Sequence, residues 1–217
     1  FPPEKVIRGL NEYLDVVTTA VQANGGVVDK FVGDAVMAVW GVPEQGTNDA
    51  LSAVKSAIHI RREILALNAK RESQGEFPIE IGIGIHSGAT IFGAMGNGVR
   101  VDHTVIGPTI NIASRIEGMA KEFDCDIIIS HGLLESVSSQ VLVEDLGMVN
   151  IRGMTSQVGI AKLLGVQVSE SEFLIGHQKL EKELSIHRPG RVVGAPKFVT
   201  LRNYSRGPAA ADKQSVA

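Results

Sequence analysis

The chain has 217 residues, 44% of them hydrophobic and 21% charged, which is enough for one sizeable core and a second small unit. No apolar run approaches the roughly 18 residues of a membrane helix, and the amino-terminal residues lack the pattern of a secretory signal. The single cysteine, Cys125, excludes an internal disulfide and fits a reducing compartment. We therefore expect the chain to lie in the cytoplasm, either as a cytoplasmic protein or on the cytoplasmic side of a membrane-anchored one. The start at Phe1 suggests a fragment or a processed chain, with room for an upstream sensor or membrane domain.

Charge is unevenly distributed along the chain. Residues 171–217 carry eight Lys and Arg against four Asp and Glu, a net +4, and the remaining residues have a net charge of −7. A body of that sign has no general attraction for nucleic acid. Because the basic segment contains several Gly and Pro and no sustained apolar period, we predict a domain over residues 1–166 and a flexible basic tail over residues 167–217.

The first predicted elements are a helix, a hairpin and a second helix. Pro2-Pro3-Glu4 opens a helix whose apolar residues recur at helical spacing, and Gly25-Gly26 ends it. Residues 27–40 are two apolar runs separated by Gly33-Asp34, the pattern of a β-hairpin with a tight turn. The second helix is capped by residues 47–49.

The second half of the pattern is richer in strands. A strand over residues 79–86 alternates isoleucine with residues that are mostly glycine, and these glycines leave room for close approach of backbone or ligand. A hairpin over residues 89–106 turns at Gly96-Asn97-Gly98, and a third helix covers residues 107–121. A strand at 127–130, a short helix at 131–137, and a strand pair at 145–151 and 158–164 complete the chain, with Arg152-Gly153 at the last turn. This order predicts an α/β (α+β) sandwich of helices on a mainly antiparallel sheet.

Two places in this pattern could support chemistry. Asp34, at the hairpin tip, could give an oxygen ligand to a divalent cation such as Mg²⁺. Lys30 lies four residues earlier, so strand alternation places its side chain on the same face as that of Asp34. Asn111 and Arg115 are four residues apart, off the apolar stripe of the third helix, and form a donor array suited to a phosphate and its sugar. Simpler explanations exist for each of them. Asp34 could merely form the turn, Lys30 could be a solvated charge on a strand, and Asn111 and Arg115 could be a solvated pair on a helix. The residues alone do not identify a reaction.

Three segments in this order resemble the catalytic domain of class III nucleotide cyclases: DKFVGDAVMAVWG, IGIGIHSGATIFGAMG and HTVIGPTINIASRIE. The resemblance covers roughly residues 1–166. It implies a ferredoxin-like core with extra strands, a head-to-tail homodimer, and active sites shared between the two subunits. It also implies that a cyclic nucleotide and pyrophosphate are made from a nucleoside triphosphate with two Mg²⁺ or Mn²⁺ ions per site, and that a monomer is inactive.

The resemblance assigns roles within the first hairpin and the strand before the third helix. Lys30 and Thr104 occupy the two purine-reading positions, and Phe31 and Gly33 lie beside them in the substrate site. Asp34 looks like the second of two aspartates that bind the metal pair. Lys30 can only donate a hydrogen bond and Thr104 can accept one, so the pair complements adenine, whose N1 accepts and whose N6 amino group donates. We therefore predict ATP as the substrate and an adenylate cyclase of the branch with threonine at this position.

The third helix and the last turn would contact the rest of the nucleotide. Asn111 looks like the residue that orients the ribose, and Arg115 like the one that stabilises charge on the reacting phosphate, with Asp34 supplied by the opposite subunit. Arg152 stands where many family members have a lysine near the triphosphate. Arginine keeps the charge but not the shape, and a solvated turn residue explains Arg152 equally well.

The sequence also departs from the family. The first metal aspartate of the family lies upstream of the first helix in a segment resembling DIxGFT, which this chain does not contain. We therefore expect half a metal site, a sheet without its amino-terminal strand, and a chain that could be inactive by itself. The alternatives are a non-catalytic nucleotide-binding dimerisation or regulatory module, and a guanylate cyclase. His86, at the end of a buried strand, is expected to be packed or hydrogen-bonded rather than a ligand.

Overall fold

The chain opens with the helix and hairpin that its sequence predicts. In the computed structural model, which describes residues 2–97, 99–169, 172–175 and 197–202, helix α1 spans Pro3–Ala23. Strands β1 (Val27–Val32) and β2 (Ala35–Val39) form an antiparallel hairpin. Gly33 has a φ of 65°, which glycine adopts without steric cost and which a type II′ turn needs at its first central position. The predicted hairpin and its turn are confirmed.

The other elements follow the predicted order, with boundaries that differ by a few residues. They are α2 (Asp49–Ser73), β3 (Gly82–Ser87), β4 (Ile91–Asn97), β5 (Arg100–Ile106), α3 (Pro108–Gly118), β6 (Ile127–Ser130), α4 (His131–Leu134), a 3₁₀ turn (Ser138–Gln140), β7 (Val141–Val149), β8 (Val158–Ser169), β9 (Glu172–Ile175) and β10 (Lys197–Arg202). The turn of the second hairpin lies later than predicted, because Asn97 still pairs with Arg100. Gly98 lies outside the described residues. None of the helices among the described residues is long and apolar enough to span a membrane.

The strands form one large mixed sheet and one hairpin. The order in the large sheet is β1-β2-β10-β3-β6-β8-β7, with β9 alongside β8, and β4 and β5 pair separately. Five of the eight pairings between described strands are antiparallel and three are parallel. The predicted fold class, helices on a mainly antiparallel sheet, is confirmed.

Strand β10 occupies a central place in the sheet. It lies between β2 and β3 and runs parallel to both. Strand β10, β9 and the end of β8 all come from residues 167–217, so the predicted domain boundary at residue 166 falls inside β8. The flexibility of that tail stays a prediction, because most of its residues lie outside the described ones. The strand expected upstream of α1 also stays a prediction.

The large sheet has helices on both faces. On one face, α1, α2 and α4 cover a core that includes Ile83, Ile85, Ile127 and Ile129. On the other face, α3 covers Ile128 together with Ile160 of β8, and a small cluster joins β5 and α3 to β2 through Val105, Ala113 and Val39. Because successive strand residues point to opposite faces, the isoleucine run of β6 serves both cores. The predicted site residues of α3 and β5 therefore share one face of the sheet.

Helix α3 packs directly on the backbone of β3. A Cβ atom at Gly84 would lie 2.5 Å from the carbonyl oxygen of Ala113 and closer still to the backbone nitrogen of Glu117. Any side chain at this position would therefore have to push the helix away from the sheet. This is the close backbone approach that the glycines of β3 predicted, and it fixes the height at which α3 holds Asn111 and Arg115.

We expect Gly84→Ala to destabilise the chain because the added methyl group overpacks the contact between β3 and α3. The free energy of unfolding should fall by about 1–3 kcal/mol, and Tm by roughly 3–10 °C, in a thermal denaturation experiment. Gly118→Ala, at the end of α3, is the matched control, since apart from its own helix and chain neighbours no atom lies within 4 Å of a Cβ at Gly118. Its Tm should stay the same or rise slightly, because alanine favours helix over glycine. Equal Tm values for the two variants would contradict this account of α3.

Candidate functional site

Lys30 and Thr104 are in contact, although 74 residues separate them in the chain. The Nζ of Lys30 donates a hydrogen bond of 2.6 Å to Oγ1 of Thr104. The Oγ1 of Thr104 donates a hydrogen bond of 2.9 Å to Oδ2 of Asp29, and the Lys30 ammonium lies 3.3 Å from the same oxygen. The structure thus brings together the two residues that the resemblance pairs. Asp29 is a third member of the cluster, which sequence reasoning missed.

A β-bulge in β1 explains how the consecutive residues Asp29 and Lys30 reach the same place. Val28 pairs with Ala38 and Lys30 pairs with Met37, so that Asp29 is an extra residue in the ladder. A bulge interrupts the alternation of side chains and re-aims one of them. In a regular strand Asp29 and Lys30 would point to opposite faces. The alternation of the sequence therefore predicts the wrong side for Asp29.

The three residues of the cluster differ in burial. The side chain of Asp29 is 4% exposed, whereas that of Lys30 is 42% exposed. Thr104 is also buried. A buried carboxylate costs free energy unless it is paired and hydrogen-bonded, and both partners of Asp29 belong to this cluster. Lys30 is therefore the member of the cluster whose side chain is open to solvent.

The two strands of the first hairpin differ in burial. β2 is mostly buried, but β1 is an edge strand, and Phe31 and Val32 are both more than half exposed. Asp34 lies half-buried in the turn after Gly33. Its carboxylate forms no ion pair with the residues that the structure describes.

Helix α3 presents Asn111 and Arg115 to solvent, as the predicted spacing requires. Both are exposed, and the buried stripe of the helix runs along its other side. A Cβ atom at Gly153 would lie 3.3 Å from Nη1 of Arg115, so the loop 150–157 that carries Arg152 is next to this guanidinium. Within the described part of the chain, neither arginine pairs with a carboxylate. The structure therefore places the guanidinium of Arg115, a group suited to binding phosphate, beside the backbone of the loop that carries Arg152.

His86 lies outside these clusters. Its Nδ1 is 2.8 Å from Oγ of Ser130, and burial lowers the pKa of His86 to about 4. The imidazole is therefore neutral near pH 7. The prediction of a packed or hydrogen-bonded histidine is confirmed.

His86 should make folding stability depend on pH. Its pKa is about 4 in the folded chain against the ordinary 6.5, so the unfolded chain binds more protons between these values. The stabilisation is complete above pH 6.5 and is lost as the pH falls towards 4, by at most about 3 kcal/mol. We expect denaturant titrations across this range to show a shallower pH dependence for His86→Gln than for the wild type. Identical slopes for the two proteins would rule out this role.

The sequence matches a known family over most of its length. Residues 2–164 match the family model described as the adenylate and guanylate cyclase catalytic domain. The chain is 30% identical over 164 residues to adenylate cyclase 1 of Rhizobium meliloti, and that alignment covers 76% of this chain and 25% of the Rhizobium protein. It is 37% identical over 140 residues to the adenylate cyclase of Anabaena cylindrica, and that alignment covers 63% of this chain and 27% of the Anabaena protein. The chain thus spans about a quarter of the length of these curated relatives.

Solved structures show the same architecture. The guanylyl cyclase Cya2 superposes with a TM-score of 0.71 at 27% identity, covering 80% of this chain and 87% of that one. The adenylyl cyclase CyaB from P. aeruginosa superposes with a TM-score of 0.64 at 29% identity, covering 75% of this chain and 84% of that one. Both superpositions cover at least three quarters of the chain.

Proposed function

The chain belongs to the family of adenylate and guanylate cyclase catalytic domains, and on that premise we propose that it makes cyclic AMP and pyrophosphate from ATP at a site shared by two copies of the chain. The contact between Lys30 and Thr104 is the observation that carries the choice of ATP. It places a hydrogen-bond donor beside an acceptor between β1 and β5, on the face of the sheet that also carries α3.

The pair selects adenine by hydrogen-bond polarity. The ammonium of Lys30 donates to N1 of the base, and Oγ1 of Thr104 accepts from the N6 amino group. Guanine in the same pose would set its N1 hydrogen against the ammonium and its O6 against the threonine oxygen. An unmet buried polar group costs about 1–3 kcal/mol, which gives up to about a hundredfold preference for ATP. Phe31 and Gly33, in the same hairpin, line this part of the site.

Helix α3 and the loop beside it bind the sugar and the phosphates. Asn111 orients the ribose so that its 3′-oxygen attacks the α-phosphorus in line with the leaving pyrophosphate. The 3′-hydroxyl gives its proton to water, the new bond joins O3′ to the phosphorus, and the bond between the phosphorus and the pyrophosphate oxygen breaks. Arg115 donates hydrogen bonds to the oxygens on which negative charge develops, and Arg152 holds the polyphosphate.

Asp34 supplies one ligand of the divalent metal that this family generally uses. Mg²⁺ takes oxygen ligands and is commonly bound by one or two carboxylates together with substrate phosphates and water. The described residues contain no group of three or more His, Cys, Asp or Glu side chains that could hold a metal. Asp34 fits as one ligand among several, and it does not make a metal site by itself.

Exposed apolar side chains on β1 and the β4–β5 hairpin support the proposed dimer. Seven large apolar side chains of β1 and the β4–β5 hairpin are each between 45% and 61% exposed: Val27, Phe31, Val32, Ile91, Met95, Val101 and Ile106. The contact between Lys30 and Thr104 holds β1 next to β5, so these side chains belong to neighbouring elements. A second copy of the chain, related by a two-fold axis, can cover those of these side chains that share one face. Each of the two resulting sites would combine Arg115 of one copy with Asp34 of the partner subunit.

A guanylate cyclase is the second candidate, because the chain superposes on the guanylyl cyclase Cya2 with a TM-score of 0.71. Measuring turnover of ATP and GTP by one preparation separates the two activities. We expect the larger kcat/KM for ATP. A non-catalytic nucleotide-binding module would bind ATP and form neither cyclic nucleotide.

Complementation between two inactive variants tests the shared site. We expect Asp34→Asn and Arg115→Ala each to lower cyclic AMP production by about a hundredfold or more, because each removes a charged group from both sites of a dimer. A mixture of the two variants forms heterodimers with one intact site. Cyclic AMP production should therefore recover to about a quarter of the wild-type rate, if subunits mix at random.

The measurement belongs in the full-length protein, since the chain spans about a quarter of its curated relatives. Matched controls are Asp15→Asn and Arg62→Ala, which change exposed residues of α1 and α2 on the opposite side of the sheet. Both controls should keep wild-type activity. Undiminished activity in Asp34→Asn or Arg115→Ala would reject the assigned roles. Inactive variants that fail to complement each other would reject the shared site alone.

A further inference from the structure

The hydroxyl group of Thr104 cannot choose between purines by itself. A threonine hydroxyl has one hydrogen to donate and two lone pairs that accept. It could accept from the N6 amino group of adenine, and after rotation it could equally donate to O6 of guanine. A site that relies on a free hydroxyl would therefore discriminate poorly at this position of the base.

In this structure the polarity of Thr104 is set by Asp29. The hydroxyl donates its one hydrogen to Oδ2 of Asp29 at 2.9 Å. An ionised carboxylate has no hydrogen to give back, so the threonine oxygen can only accept on its remaining side. It does accept there, from Nζ of Lys30 at 2.6 Å. In the absence of a base, the ammonium of Lys30 takes the place that an amino group would occupy.

We propose that Asp29 is a positioning residue for purine selection: by holding the hydroxyl hydrogen of Thr104, it converts an ambivalent group into an acceptor that admits the amino group of adenine and rejects the carbonyl of guanine. This inference rests on the proposed function, since it concerns the base of the same nucleotide. When the ammonium of Lys30 turns to N1 of the base, it frees a lone pair on Oγ1 of Thr104. That lone pair then accepts a hydrogen bond from the N6 amino group. The hydrogen bond between Thr104 and Asp29 persists throughout.

The burial and placement of Asp29 support this role. Its side chain is only 4% exposed, so neither rotation nor competition from water readily breaks the hydrogen bond. The β-bulge between Val28 and Lys30 turns the carboxylate towards β5. The ion pair with Lys30, at 3.3 Å, also keeps the ammonium beside the threonine oxygen. One carboxylate therefore orients both residues that face the base.

The substitution Asp29→Asn tests the proposal with little change of shape. The amide of asparagine can donate to Thr104 as well as accept from it, which releases the hydroxyl hydrogen towards the ligand. We expect the ratio of kcat/KM for ATP to that for GTP to fall by about tenfold. The ratio of the dissociation constants of the two nucleotides, measured by isothermal titration calorimetry, should shift in the same direction. Asp15→Asn, on α1, is the matched control and should keep both ratios.

A second variant separates polarity from mere structural support. In Asp29→Asn/Thr104→Asp, a carboxylate at position 104 can only accept, and the amide behind it donates to that carboxylate. The preference for ATP should return to within about threefold of the wild-type value. A purely structural role of Asp29 would lower Tm and affect ATP and GTP equally.

The outcomes distinguish this proposal from the proposed function. If the wild type prefers ATP and folded Asp29→Asn keeps the same ratio, the role of Asp29 is overturned and the cyclase activity stands. If the wild type binds ATP and forms no cyclic nucleotide, the proposed function is overturned, and the ratio of dissociation constants decides the role of Asp29. If Asp29→Asn does not fold, Asp29→Ser replaces it, because a hydroxyl at position 29 can also donate to Thr104, and an unchanged ratio in folded Asp29→Ser overturns the role of Asp29. If the wild type binds neither nucleotide, both proposals are wrong.

Discussion

The hydrogen bond between Lys30 and Thr104 is the interaction on which this account of the molecule depends. It connects the edge strand β1 to β5 of the second hairpin, two elements that are in different sheets. It sets a cation beside a hydroxyl oxygen on the face of the large sheet where α3 packs. The same contact makes neighbours of β1 and the β4–β5 hairpin, the two elements that carry the exposed apolar side chains. Base recognition and the proposed subunit interface therefore share one structural origin.

The parts of the fold that depend on local pattern could be predicted from the sequence. Gly33-Asp34 between two apolar runs predicted the turn, because few residues other than glycine adopt a positive φ. The spacing of Asn111 and Arg115 predicted that both lie off the buried stripe of α3. Glycine at position 84 predicted a close approach, and the structure shows the backbone of α3 there. Each of these inferences needs only neighbouring residues and a known periodicity.

Features that depend on distant parts of the chain could not be found in this way. Nothing in the local pattern links Lys30 to Thr104, and only the resemblance to a family paired them. The bulge at Asp29 breaks the alternation from which its direction would be inferred. Strand β10 comes from a segment rich in glycine and proline, and its place depends on the gap between β2 and β3. The roles assigned to Asp34, Asn111, Arg115 and Arg152 remain proposals, although the structure places Arg115 beside the loop that carries Arg152.

The most direct measurement is a crystal structure of the full-length protein with a non-reactive ATP analogue and Mg²⁺. We expect N1 of adenine within hydrogen-bonding distance of Nζ of Lys30, and N6 within hydrogen-bonding distance of Oγ1 of Thr104. The phosphates should lie against Arg115 of the same subunit, with Asp34 of the partner subunit next to the metal. A base bound away from Lys30 and Thr104, or a triphosphate contacted by one subunit only, would contradict it.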